Sequence, residues 1–136
     1  MDAILNSVAL LFTAFTVLYS LWYSEINGAK ELKPGLHEEN DDRIEQIKII
    51  LYTKVIPLLV FSILMLAIHF NTTYRSISNI HDYWFGNYYE YYTYDPIMAT
   101  FMIIQLLFFL GFIRLLVTSF QLYSAKKNII KEKTPQ

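Results

Sequence analysis

Apolar residues fall in three long blocks along this chain, not at the two-residue period of a half-buried strand. The first runs from Ala3 to Tyr23, the second from about Ile49 to Phe70, and the third from Pro96 to about Tyr123. Each is long enough to cross a hydrocarbon core of roughly 30 Å at 1.5 Å per residue. The pattern predicts an all-α integral membrane protein with three transmembrane helices in a small bundle and a tyrosine-rich external loop between helices two and three. The expected segments are helix one over 3–27, a cytoplasmic loop over 28–40, helix two over 41–70, an external aromatic loop over 71–94, helix three over 95–124 and a basic tail over 125–136.

Local signals set these boundaries. Gly28 suits a left-handed position closing helix one. Lys33-Pro34-Gly35 reads as a turn. Asn40 or Asp41 is placed to cap helix two, whose first turns carry Arg43, Glu45 and Lys48 and should project into water. Pro57 removes one helical bond and frees the carbonyl of Thr53, which predicts a kink. Asp95 should cap helix three with Pro96 at its first position. Lys126, Lys127, Lys131 and Lys133 form a tail expected to fray.

Two faces combine small and polar residues. Asn6, Ala9, Thr13, Thr16, Ser20 and Tyr23 share one face of helix one, and are expected to pack inside the bundle. Gly111, Arg114, Thr118, Gln121 and Ala125 share one face of helix three.

Charge gives the orientation. Three spans put the first loop and the C-terminus on one side, with Lys30, Lys33, Arg43, Lys48 and the four tail lysines. The other side carries Arg75 alone. The positive-inside rule then gives an outer N-terminus and a cytoplasmic C-terminus, in what is expected to be a bacterial inner membrane.

Composition narrows the chemistry. The net charge of −1 argues against a nucleic-acid partner, and the absence of cysteine excludes disulfides, thiolate nucleophiles and Cys-ligated metals. His37 adjoins Glu38, Glu39, Asp41 and Asp42 but at no fixed ligand spacing, so no metal or other cofactor is expected. His69 is expected at the interface and not as a ligand. No catalytic constellation is visible, so the chain reads as no enzyme.

Two candidate sites remain. The inner polar cluster is Arg114, Lys54 and Glu25, at the level of Thr16 and Ser20. Arg114 is expected to snorkel to the interface and bond hydroxyls or carbonyls there; alternatively an Arg114–Glu25 pair could fix the bundle, or an anion could sit between Arg114 and Lys54. The candidate external surface is Tyr83, Trp84, Tyr88, Tyr89, Tyr91 and Tyr92. Seven of the eleven tyrosines lie in that loop, and amphipathic rings favour the headgroup layer. The partners implied are the lipid bilayer and other membrane proteins, or further copies of the chain. The first reading of function is a non-catalytic subunit or accessory factor of a larger membrane complex. The alternatives are a self-assembling pore and a binder of lipid or another hydrophobic ligand using the Arg/Lys cluster. In its three spans, orientation and basic tail the layout resembles that of phage class I holins, although the aromatic loop departs from their short loops.

Overall fold

A computed structural model describes residues 2–85 and 95–133, apart from the side chains of Asp2, His37, Glu38, Tyr83, Trp84 and Lys133. These residues are all-helical. Helix α1 is Asp2–Lys30, α2 is His37–Ile50, a π-helical turn covers Leu51–Val55, α3 is Ile56–Ile68, α4 is Phe70–Phe85 and α5 is Pro96–Lys133. Three stretches are long and apolar enough to cross a membrane: Ala3–Lys30, Glu39–Ile68 and Pro96–Glu132.

The core follows a seven-residue repeat. On α5, Phe101, Phe108, Leu115, Leu122 and Ile129 are fully buried. On α1, Leu5, Val8, Phe12, Phe15, Tyr19, Trp22, Ile26 and Ala29 keep alternate spacings of three and four and belong to the same core. This is the seam of helices packed as in a coiled coil. Phe15 sits at its centre, with ring centroids 5.5 Å from Phe108 of α5 and 6.1 Å from Phe61 of α3.

That packing corrects the expected inward face of α1. Thr13, Thr16 and Ser20 are exposed, and Ala9 is half-buried. The Thr13 and Thr16 hydroxyls donate to the carbonyls of Ala9 and Phe12, both at 2.9 Å. The aromatic seam fills the space between helices, which leaves the hydroxyl face on the outside.

The central helix carries one irregularity. Its buried positions Ile47 and Val55 lie eight residues apart, where the seam elsewhere keeps seven. The π turn absorbs the extra residue: the Ile56 N–H bonds the carbonyl of Leu51, five residues back. It also answers the expected effect of Pro57, which sits in the first turn of α3. A proline ring clashes with the carbonyl four residues earlier, here Thr53, and the wider turn moves that carbonyl aside.

Several boundaries differ from expectation. Helix α1 runs through Gly28, and no residue among those described has positive φ. Burial of Ile26 and Ala29 holds the last turn in register. Helix α2 begins at His37 behind Leu36, with no side-chain cap. Asn40 is buried and accepts from the Gly35 N–H at 2.9 Å instead. Arg43 folds over the same loop, donating to the Lys33 carbonyl and pairing with Glu39 at 2.8 Å. A Cβ on Gly35 would fall 2.5 Å from the Arg43 guanidinium, so a larger residue there would push that side chain off the loop.

At the start of α5 the expected cap is present. Asp95 Oδ1 accepts from the Ile97 N–H at 2.9 Å. The basic tail, expected to fray, is helical to Lys133, because Ile129 is fully buried. The 38 residues of α5 extend about 57 Å, well beyond a bilayer core.

The largest departure is α4, where a loop was expected. Asn, Thr, Ser and Tyr are abundant in it, yet Phe70, Tyr74, Ile77 and Ile80 recur at helical spacing and make one face apolar. His69 separates α3 from α4 with φ −94° and ψ 4°.

Candidate functional site

The inner polar cluster divides into two. Lys54 lies in the π turn, and its ammonium pairs with the Glu25 carboxylate on α1. The pair joins a largely buried Lys54 side chain (17% exposed) to a half-exposed Glu25 (57%). Arg114 pairs instead with rings. Its guanidinium carbon stands 6.0 Å from the centroids of both Tyr19 and Tyr23. The contact between α1 and α5 at this level therefore gives a cation–π site in place of the Arg114–Glu25 pair. Lys54 has Glu25 as counter-ion, which removes the reason for an anion between Lys54 and Arg114. Thr16 hydrogen-bonds within its own helix, and Ser20 faces outward.

Gly111 lets α5 approach α1 beside this site. A Cβ there would meet the Phe15 ring at 3.3 Å. Thr118 on the same face is buried, whereas Arg114 and Gln121 are exposed at its margin. Farther along, α1 and α5 part around an open polar cleft of about 840 Å³, lined by residues that include Asn27, Lys30, Lys33, Gln121, Ser124 and Asn128.

Of the external aromatic surface, Tyr88, Tyr89, Tyr91 and Tyr92 lie outside the described residues, as do the side chains of Tyr83 and Trp84. The backbone places Tyr83 and Trp84 in the last turn of α4. The His37 side chain, weighed above as a metal ligand, also lies outside the described residues.

Sequence reasoning missed one site. Leu66 of α3, Phe70, Thr73 and Ile77 of α4, and Met102, Gln105, Leu106 and Phe109 of α5 enclose a groove of about 390 Å³. Its walls are apolar except at Thr73 and Gln105. The Thr73 hydroxyl donates to the His69 carbonyl at 2.9 Å. Gln105 is 4% exposed, and neither Oε1 nor Nε2 has a hydrogen-bond partner among the described residues. The signal was present: Gln105 is the one carboxamide in the otherwise apolar run from Phe101 to Leu110.

No protein-family model, no curated protein and no solved structure matches this chain. Its function has to be argued from the residues alone.

Proposed function

We propose that this chain is a non-catalytic subunit or accessory factor of a larger membrane complex. It sits in a bacterial plasma membrane with its N-terminus outside and its basic end in the cytoplasm. The observation that carries the reading is the outward hydroxyl face of α1. Thr13, Thr16 and Ser20 are exposed within a stretch apolar enough to span the bilayer. Small residues let a second helix come close, and their hydroxyls can bond across the contact. Among the described residues these three are exposed, since the opposite side of α1 supplies the core.

The test is native mass after mild detergent extraction at native expression level. A defined complex with other membrane proteins is expected. Thr13→Leu, Thr16→Leu and Ser20→Leu together should release the chain from it while leaving its helical content unchanged. A bare monomer from wild-type cells would overturn the proposal. A complex of this chain alone would favour the pore reading, and conductance would decide it.

A second reading draws on the polar cleft between α1 and α5. Lys30 and Lys33 with the amides of Gln121 and Asn128 could hold an anionic lipid headgroup at the cytoplasmic surface, the two ammonium groups outweighing the Glu31 carboxylate that also lines the cleft. Co-purified lipid that is lost on Lys30→Gln and Lys33→Gln would support it.

A further inference from the structure

Arg114 and Glu25 stand near one level of the molecule, on opposite flanks of α1. The Arg114 guanidinium lies beside the Tyr23 ring on the α5 flank. Glu25 follows Tyr23 by two residues, roughly 3 Å along the helix and about 200° around it. Its carboxylate meets Lys54 of the central helix on the other flank. Arg114 is exposed within a membrane-spanning stretch, and no carboxylate pairs with it among the described residues. Glu25 is itself half-exposed and accepts from Lys54 through Oε2, which leaves Oε1 as an acceptor for a second cation.

The same opposition of charge continues at the C-terminal end of α1. The cleft on its α5 flank carries Lys30 and Lys33 against Glu31 alone. The cleft on its α2 flank carries Glu25, Asp42 and Glu45 and is lined by no basic residue. Between the two flanks α1 presents Leu10, Thr13, Val17, Ser24 and Gly28, all exposed. A Cβ on Gly28 would meet nothing within 4 Å. No contact among the described residues therefore accounts for a glycine inside this helix, where it weakens the helix, whereas a second backbone passing close would.

We propose that α1 packs against α1 of a second copy about a two-fold axis along the membrane normal, so that Arg114 of each copy meets Glu25 of the other. The proposal rests on the reading of α1 as a helix-contact face and names the partner at that face, so that the larger complex holds two copies of this chain. Symmetry selects the arrangement. With the axis beside the exposed face of α1, the α5 flank of each copy lies against the α2 flank of the other. Lys30 and Lys33 then face Asp42 and Glu45 of the second copy, twice over. A two-fold through either flank alone would set like charges face to face. An unrelated helix would need a basic edge and an acidic edge at these same heights, and this chain already carries both. A carboxylate from the second copy also gives Arg114 the ionic partner that a charge in a membrane span calls for.

The full chain has no cysteine, so a single introduced one reports contact by oxidative cross-linking in native membranes. Val17→Cys is expected to give a disulfide-linked dimer, and Phe120→Cys, also exposed but on α5, is not. Two charge-reversed chains are then built on Val17→Cys: Lys30→Glu with Lys33→Glu, and Asp42→Lys with Glu45→Lys. Each alone should lose the cross-link roughly tenfold, because like charges now meet on both flanks. Co-expressed, the two should recover it as a mixed dimer, which also shows that both fold. Arg114→Gln should lower the cross-link roughly fivefold. No dimer from Val17→Cys, an equal one from Phe120→Cys, no recovery in the mixed pair, or no effect of Arg114→Gln would each overturn the proposal. So would a loss confined to the lysine reversal, which would assign that cleft to an anion such as a lipid headgroup. Should the reversed chains fail to fold, Val17→Cys against Phe120→Cys decides alone. Native mass separates this proposal from the reading on which it rests. One copy among other proteins would keep the subunit and remove the dimer, two copies alone would do the reverse, and a bare monomer would remove both.

Discussion

Lys54 of the π turn and Glu25 of α1 form an ion pair between two helices, and the two ends of that pair are unequally buried. The inequality makes a directional prediction. Glu25→Gln leaves the more buried ammonium without its counter-ion, whereas Lys54→Met leaves a half-exposed carboxylate that water can reach. Glu25→Gln is expected to cost about 1 kcal/mol, the upper end for a partly exposed pair, and Lys54→Met less. The double substitution should recover most of the loss of Glu25→Gln. Reversible unfolding in mixed micelles measures all three as a double-mutant cycle.

The π turn rests on two causes, an extra residue between Ile47 and Val55 and the ring of Pro57. They can be separated. Deleting the exposed Tyr52 restores seven-residue spacing but asks Pro57 to sit in a regular α-helix, where the clash with the residue-53 carbonyl costs about 3 kcal/mol. Deletion alone should therefore destabilise strongly. Deletion combined with Pro57→Ala should be clearly more stable than deletion alone. Pro57→Ala by itself should change little, because the extra residue still has to be accommodated. Unfolding free energies of the three variants check the coupling.

The spans were legible in the sequence because crossing a bilayer demands long uninterrupted apolar runs. The Asp95 cap was legible because it depends on neighbours in sequence alone. Which face of α1 turns inward was not. Small residues at Ala9, Thr13 and Ser20 suit close packing, but Phe12, Phe15, Tyr19 and Trp22 offer far more contact and fix the seam. The repeat Phe101, Phe108, Leu115, Leu122 and Ile129 was present in the sequence, hidden by equally apolar residues on either side. Helix α4 was obscured for the opposite reason: its Asn, Thr and Ser content reads as loop, and the spacing of Phe70, Tyr74 and Ile77 decides otherwise. Arg114 drew attention as a charge. Of its ring partners, Tyr23 counts with the small and polar face of helix one, and nothing in the sequence singles out Tyr19.

His69, just beyond the end of α3, stands edge-on to Phe101 with ring centroids 5.9 Å apart. Burial holds its imidazole below the ordinary value of 6.5. In the unfolded chain the ring takes up a proton as pH falls through that ordinary value, while the folded chain resists. Stability is therefore fully present above it and is lost as pH falls toward the lower folded value. The thermal midpoint should drop between about pH 7.5 and 5.5. His69→Phe, which keeps a ring against Phe101, should make the drop smaller. An equal drop in wild type and variant would assign it to other groups.

Gly111 faces the Phe15 ring, and a Cβ there would stand 3.3 Å from it. Gly111→Ala combines a helix-propensity gain of about 1 kcal/mol with a small displacement of that ring. The two should nearly cancel. Gly111→Leu cannot be absorbed that way and should cost about 1–3 kcal/mol as overpacking. Phe15→Ala in the same chain should relieve much of that cost, since it vacates the space that the leucine needs. The cycle over Gly111 and Phe15, read by unfolding, tests whether this contact sets the distance between α1 and α5.

Arg114 is exposed within a membrane-spanning stretch, which makes its two tyrosine neighbours the groups that compensate its charge. A cation–π contact is worth about 0.5–1 kcal/mol at an exposed site and more where water is excluded. Tyr19→Phe and Tyr23→Phe keep the rings and should leave stability unchanged. Tyr19→Leu with Tyr23→Leu removes both rings and should cost about 1–2 kcal/mol, partly through the core contacts of Tyr19. Arg114→Met loses the same contacts but also removes a charge whose place in the bilayer is costly, so the isolated chain should be no less stable than wild type. Arg114→Met added to the double leucine variant should then restore stability. If it does not, the tyrosines act through packing alone, and Arg114 reaches water or lipid phosphate by its own length.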